Sequence, residues 1–132
     1  MLEDSQDRKA RLSALEATPE FRWLAESKRY LLAAEVLRQS DEYKRSKLLV
    51  TPTLHLIAHG IELFLKGTLL RGGLSETDVR KFGHDIHALW NHTLNATTRD
   101  EILVAANEEW DAAKQYPDCL GDFGALDKVP FE

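Results

Sequence analysis

Four polar side chains recur at helical spacing in an otherwise apolar segment, which runs from Pro52 to about Arg71. They are His55, His59, Glu62 and Lys66. An α-helix turns by about 100° per residue, so all four lie within about 40° of one line along the helix. Where such groups are partly removed from water, their pKa values shift, and they can bind a ligand or transfer protons. This polar stripe therefore predicts a ligand-binding site in a groove or at a dimer seam.

The polar stripe also has two simpler interpretations. It can be the narrow solvent face of a mostly buried helix, in which case Glu62 and Lys66 form an ordinary i,i+4 pair worth about 0.2–0.5 kcal/mol. Alternatively, His55 and His59 could join Glu62 as three metal ligands, because residues i and i+4 share a helical face. The motif lacks the His-Glu-x-x-His pattern of zinc proteases, so we predict no metal and no cofactor.

A second group of chemically capable residues lies close together around Gly83: Arg80, His84, Asp85, His87 and His92. Histidine titrates near neutral pH, and arginine binds phosphate in a bidentate way. Such a pair could cleave RNA without metal: the imidazole would move protons, and Arg80 would stabilise the charged phosphate. Alternatively, His84 and Asp85 simply cap the next helix and His87 faces solvent.

The elements that must position these residues are all predicted to be helices, because apolar and polar residues nowhere alternate over six or more positions. Cap signals and glycines mark the boundaries. The expected helices are 19–39, 52–71, a short turn from 75, one starting after Asp85, and one starting at the Thr98–Glu101 capping box. We expect a charged N-terminal arm or loose helix at 1–17, a helical bundle domain at 18–117 and an irregular tail at 118–132.

Two glycines, Gly60 and Gly67, share one face of the 52–71 helix. Glycine costs about 1 kcal/mol in a helix interior relative to alanine, so two on one face predict a closely packed neighbouring helix. Apolar residues cover most of the remaining circumference. A helix with so little polar surface is expected at the centre of a bundle.

The composition narrows the classes of function. The chain has 132 residues, of which 43% are hydrophobic, and a net charge of −5, which argues against coating nucleic acid by bulk electrostatics. The single cysteine, Cys119, rules out an intramolecular disulfide and agrees with a reducing compartment. No segment approaches the about 20 apolar residues that span a bilayer, so we expect a cytoplasmic protein without membrane contact.

Two stretches together resemble the HEPN superfamily, named for "higher eukaryotes and prokaryotes nucleotide-binding". They are LIAHGIELFLKG at 56–67 and GHDIHALW at 83–90. By this resemblance, Glu62 and Lys66 match the Glu-x3-Lys element of the family, and His84 matches the histidine of its Gly-His-Asp element. The resemblance covers residues 52–94 well, and it extends to the rest of the chain only through the order of helices.

The resemblance implies an up-and-down bundle of four to five helices, usually a homodimer with a groove between subunits. Many members are metal-independent RNases in toxin–antitoxin, phage-defence or RNA-processing systems, and others bind nucleotides or a cognate protein partner. Active members carry Arg-x4–6-His late in the fold. Here Arg80 and His87 have that spacing but lie earlier, before the fourth helix.

Three hypotheses follow from the sequence. The first is a HEPN-like nucleotide- or RNA-binding domain, including a degenerate RNase, with His55, His59, Glu62, Lys66 and His84 contacting the ligand. The second is an active metal-independent RNase that uses Arg80 with His84 or His87. The third is a non-enzymatic dimerisation or protein-interaction module, in which the polar stripe forms structural ion pairs.

Overall fold

The computed structural model describes residues 4–114, and this part of the chain is helical without any strand, as the sequence predicts. Seven α-helices and one 3₁₀ turn follow one another. They are α1 (Ser5–Glu16), α2 (Pro19–Gln39), α3 (Asp41–Arg45), α4 (Val50–Arg71), α5 (Glu76–Arg80), α6 (Ile86–Asn91), the 3₁₀ turn (Thr93–Asn95) and α7 (Ala96–Lys114).

The chain divides into two compact units, Met1–Asn95 and Ala96–Glu132. The predicted domain 18–117 therefore spans parts of both units. In the first unit, the segment predicted as an arm or a loose helix is helical: it forms α1, in which no residue is buried. In the second unit, α7 is the described element. The predicted tail at 118–132, with Cys119, lies outside the described residues.

Capping chemistry explains where most helices begin. The Thr18 hydroxyl accepts from the Phe21 amide at 3.4 Å, and Pro19 occupies the first turn, which confirms the predicted start of α2. In contrast, α4 begins at Val50, two residues before the predicted position, without a side-chain cap. The last helix likewise begins before Thr98, so the predicted capping box there is wrong.

The most extensive helix packing joins α2 and α4. A methyl group built on Gly60 would lie 2.7 Å from Leu31 Cγ, and one built on Gly67 would lie 2.7 Å from Leu24 Cγ. Both distances are far shorter than a normal carbon–carbon contact of about 3.5–4.0 Å, so only glycine permits this approach. Gly60 lies against Leu31 and Gly67 against Leu24, so the residue numbers rise along α4 while they fall along α2, and the two helices are antiparallel. The predicted close packing on this glycine face is confirmed.

The opposite side of α4 faces the hydrophobic core of the first unit. Leu65, Leu69, Val79 and Leu89 are fully buried there and join α4 to α5 and α6. Asn95 is also fully buried beside them, and its amide donates to the backbone carbonyls of two of these leucines, Leu89 at 2.8 Å and Leu65 at 3.3 Å.

The Asn95 carboxamide completes its hydrogen bonds through Thr68, whose hydroxyl donates to Asn95 Oδ1 at 2.6 Å. A buried amide with all its partners fixes the chain path around it, because any shift would leave polar groups unpaired. Asn95 therefore holds the 3₁₀ turn against α4. Among residues 4–114, no helix is long and apolar enough to cross a lipid bilayer.

Candidate active site around Glu62

Glu62 is the centre of a polar cluster on α4. Its side chain is only 6% exposed, and Lys66, one turn later and 8% exposed, donates from Nζ to Oε1 at 2.7 Å. His84 Nδ1 lies 3.0 Å from Oε2 and 3.2 Å from Oε1. His59 Nδ1 lies 3.8 Å from Oε2, close enough for a charge contact but too far for a hydrogen bond. Both carboxylate oxygens are thus occupied.

His84 reaches Glu62 because of the turn between α5 and α6. Gly83 adopts a φ of 55°, in the left-handed region that glycine enters without steric cost, and thereby reverses the chain. Asp85 then caps α6 by accepting from the Ala88 amide at 2.9 Å. The three residues of the Gly-His-Asp motif therefore act differently, since Gly83 turns the chain, His84 reaches across to α4, and Asp85 starts the next helix.

The hydrogen bond with Glu62 determines which nitrogen of His84 carries the proton. An ionised carboxylate only accepts hydrogen bonds, so Nδ1 of His84 must carry the proton of that bond. In a neutral imidazole, Nε2 is then the free acceptor. This second nitrogen has no hydrogen-bond partner in the described part of the chain, and the His84 side chain is 86% exposed. The pair is therefore built as an oriented imidazole with one unoccupied nitrogen.

On the other side of Glu62, cationic groups gather around an indole ring of α2. Lys66 Nζ lies 5.5 Å from the centre of the Trp23 ring, and Arg80 Cζ lies 5.4 Å from it. Both distances are within the about 6 Å over which a cation is attracted to an aromatic face. Arg80 also donates a hydrogen bond to Glu76 Oε1 at 2.7 Å. This bond holds the Arg80 guanidinium, which is otherwise exposed, near the Trp23 ring.

Two concavities flank Glu62, and both Glu62 and His59 line each of them. The first, which we call the cationic concavity, measures about 400 Å³, and its wall includes Arg22, Trp23, Lys66 and Arg80. The second, the imidazole concavity, measures about 510 Å³, and its wall includes Tyr30, His55, His84 and Ile86. Each is within the about 300–1,000 Å³ of typical small-molecule sites.

The electrostatics of Glu62 favour its ionised form. Burial alone would raise the pKa of the Glu62 carboxyl, but the hydrogen bonds from Lys66 and His84 outweigh this effect, so its pKa lies below the ordinary value. A carboxyl with a lowered pKa is a poor proton donor at neutral pH. Glu62 is therefore suited to orient His84 and neutralise Lys66 rather than to exchange protons itself.

The structure brings together most, but not all, of the residues predicted from the sequence. His59, Glu62, Lys66 and His84 converge, and the exposed His55 lies at the rim of the imidazole concavity. Arg80 borders the cationic concavity but has no hydrogen bond to any histidine among residues 4–114. His87 is exposed and lines neither concavity, so it lies outside the site.

Burial corrects the interpretation of the polar stripe as a plain solvent face. Glu62 and Lys66 are 5% and 7% exposed as residues, whereas the apolar Leu54 and Ile61 on the same helix are 59% and 38% exposed. The sequence predicts a largely apolar helix at the centre of the bundle, and this prediction is wrong for the exposed Leu54 and Ile61. The Glu62–Lys66 contact is a buried ion pair, not an ordinary surface pair.

The sequence interpretation did not assign Trp23 and Tyr30 to the site. In the sequence the two residues are seven positions apart, a spacing that places them on one face of the 19–39 helix and is typical of core residues. In the structure, Trp23 borders the cationic concavity, and the Tyr30 ring packs edge-on against His59 with centroids 4.4 Å apart. Their shared face was a usable signal, but it points to the polar stripe only once α2 is known to pair with α4.

Metal binding has no support from the geometry of residues 4–114, where no group of three or more His, Cys, Asp or Glu side chains is arranged to hold an ion. Comparisons of the chain with protein-family models, with curated proteins and with solved structures gave no match.

Proposed function

We propose that the unit ending at Asn95 is a HEPN-like domain that binds a nucleotide or RNA in the groove beside Glu62. The observation that carries the proposal is the hydrogen bonding of His84 to Glu62, which joins the two motifs behind the resemblance. Glu62 and His84 lie 22 residues apart in sequence, yet they meet at one carboxylate that also pairs with Lys66. The proposal includes the homodimer that the resemblance implies.

The chemistry of the two concavities suits a ligand with an anionic part and a planar part. Arg80 and Arg22 can bind phosphate oxygens by charge-assisted hydrogen bonds. Tyr30 and Ile86 offer an apolar wall against which a base can lie, and the free nitrogen of His84 can accept from a hydroxyl or amine. Because both concavities share Glu62, one nucleotide can reach both at once.

A direct test measures binding of ADP and of a single-stranded RNA oligonucleotide to the full chain by calorimetry. Arg80→Gln should weaken binding about tenfold, the value of one charge-assisted hydrogen bond. Arg38→Gln is the matched control, because Arg38 is an equally exposed arginine paired with a glutamate of its own helix but lies outside both concavities. Equal effects of the two substitutions, or no binding by the wild type, would contradict the proposal.

Metal-independent RNA cleavage is the catalytic form of the same proposal. The free Nε2 of His84 favours it, because an imidazole oriented by a carboxylate can take a proton from a ribose hydroxyl. The assay is cleavage of labelled RNA in the presence of EDTA by the wild type, His84→Ala and Arg80→Ala. Activity that is lost in both variants makes the domain an RNase, and activity that persists in both excludes these residues as its source.

The third hypothesis, a non-enzymatic interaction module, is favoured by a different observation. Both oxygens of Glu62 are already occupied, and Lys66 is almost fully buried, as expected for a structural ion pair. If the wild type binds no nucleotide and the double variant Glu62→Leu/Lys66→Met still folds, the ion pair is purely structural and the interaction module is supported. Loss of binding in this folded variant would instead support a role of the pair in the ligand site.

A further inference from the structure

A second groove lies on the other side of the α2–α4 seam from the Glu62 cluster, and its floor is apolar. It measures about 500 Å³ and lies over the seam where the two glycines of α4 admit Leu24 and Leu31. Phe64 of α4 forms the opposite wall. Leu32 at its edge is 55% exposed, so a substantial apolar surface is left in water. Exposed apolar surface of this kind is typical of interaction sites.

Each wall of the groove carries a cation. Lys28 lies on the α2 side, between Leu24 and Leu31, and Arg71 lies at the end of α4. Neither side chain has an ion-pair partner within residues 4–114, whereas several other lysine and arginine side chains there pair with an acidic residue three or four positions earlier in the chain. The groove therefore presents an apolar floor between two positive charges that the described chain leaves uncompensated.

The apolar residues that α2 contributes to the groove have a spacing that a second helix can match. Leu24 and Leu31 lie two turns apart, about 10 Å along the axis of α2, which is the distance between positions i and i+7 of a second helix. Helices that lie in such grooves are recognised by apolar residues at i, i+3 or i+4, and i+7. Carboxylates beside that apolar face would meet Lys28 and Arg71.

We infer that this groove docks an acidic amphipathic helix of a partner protein. The apolar face of the partner helix would cover Leu31, Leu32 and Phe64, and its flanking carboxylates would pair with Lys28 and Arg71. This inference concerns a face separate from the Glu62 cluster, and it holds whether or not that cluster binds a nucleotide.

The test uses the full chain and a fluorescent synthetic peptide of about 15 residues, four helical turns. The peptide carries leucine at i, i+3, i+7 and i+10 and glutamate at the flanking positions. Two comparison peptides replace the glutamates by lysine or scatter the leucines so that they share no face. We expect saturable binding of the acidic amphipathic peptide in fluorescence anisotropy and at least tenfold weaker binding of the other two.

Matched substitutions locate the binding face. Leu32→Asp should weaken peptide binding at least tenfold, because it replaces an apolar side chain that the peptide would bury by a charged one. Val36→Asp is the control, since Val36 is 69% exposed on the same helix but lies outside the groove. The pair Lys28→Glu and Arg71→Glu should reverse the preference from the acidic to the basic peptide, and circular dichroism should show that all variants remain helical.

Three results would overturn the inference. One is absence of binding by the acidic peptide, and another is equal weakening by Leu32→Asp and Val36→Asp. The third is a wild-type dimer, detected by light scattering, that Leu32→Asp dissociates, because the groove would then be occupied by a second copy of the chain. A preference that survives the double charge reversal would disprove the role of Lys28 and Arg71.

Discussion

The buried ion pair on α4 gives an asymmetric prediction. Replacing Glu62 by Leu removes the acceptor of Lys66, whose side chain is 8% exposed, and leaves an ammonium group buried without a partner. Breaking a buried pair in this way costs about 3–5 kcal/mol. Replacing Lys66 by Met is less severe, because Glu62 keeps His84 at 3.0 Å and His59 at 3.8 Å. We expect a cost of about 1–3 kcal/mol for Lys66→Met.

The double variant Glu62→Leu/Lys66→Met completes the cycle. It leaves no buried charge, and His84, which is 86% exposed, loses its partner while remaining in contact with water. Apolar replacements of a whole buried pair are often neutral or stabilising, so the double variant should be more stable than Glu62→Leu alone.

Urea unfolding near pH 7, followed by circular dichroism, measures all four free energies of unfolding. Because a domain is stable by only about 5–15 kcal/mol, Glu62→Leu should lower the midpoint strongly. The reasoning would be refuted if the costs of the two single substitutions simply added in the double variant. It would also be refuted if Lys66→Met were as costly as Glu62→Leu.

Three further predictions concern pH, packing and the buried amide. Because the pKa of Glu62 is lowered on folding, its contribution to stability is complete above the ordinary carboxyl pKa of about 4.3 and is lost as the pH falls through the lowered value. The urea midpoint should therefore fall less steeply between about pH 6 and pH 3 in Glu62→Gln than in the wild type. Gly67→Ala should destabilise the protein by about 1–3 kcal/mol, although alanine gains about 1 kcal/mol in helix propensity. In the background of Leu24→Ala, which removes the clashing Cγ, the same substitution should cost almost nothing. Thermal unfolding of the wild type, the two single variants and the double variant measures this. Asn95→Ala removes the three hydrogen bonds of the Asn95 carboxamide at a fully buried position and should cost at least about 2 kcal/mol, whereas a surface Asn91→Ala control should change the melting temperature little.

Local chemistry was sufficient to predict the existence of most helices and the position of the polar stripe. Glycine lowers the stability of a helix, so Gly60 and Gly67 alone were enough to predict a closely packed neighbouring helix. The helical angle placed Glu62 and Lys66 on one line. The short helix α3 was not predicted, since its five residues carry no apolar periodicity, although Ser40 caps it by accepting from the Tyr43 amide.

The walls of the site depend on pairings between distant segments, which periodicity does not encode. Trp23 belongs to the site only because α2 runs antiparallel to α4 at a particular register. Likewise, His84 reaches Glu62 from the turn that follows α5, and the spacing of residues along α4 does not encode this contact. His87 illustrates the reverse case: its spacing from Arg80 is suitable, but the turn at Gly83 directs His84, rather than His87, to the carboxylate.

The two glycines of α4 also have a geometric consequence for the Glu62 cluster, although no ligand there would touch them. They let the backbone of α2 approach until Leu24 and Leu31 occupy the space of the missing methyl groups. Gly60 and Gly67 therefore determine the distance between the α2 aromatic rings and the Glu62 carboxylate, although they lie on another face of α4. Methyl groups at both positions would move the aromatic wall outward and widen the opening, so the width of the two concavities is set by residues on the face of α4 turned away from them.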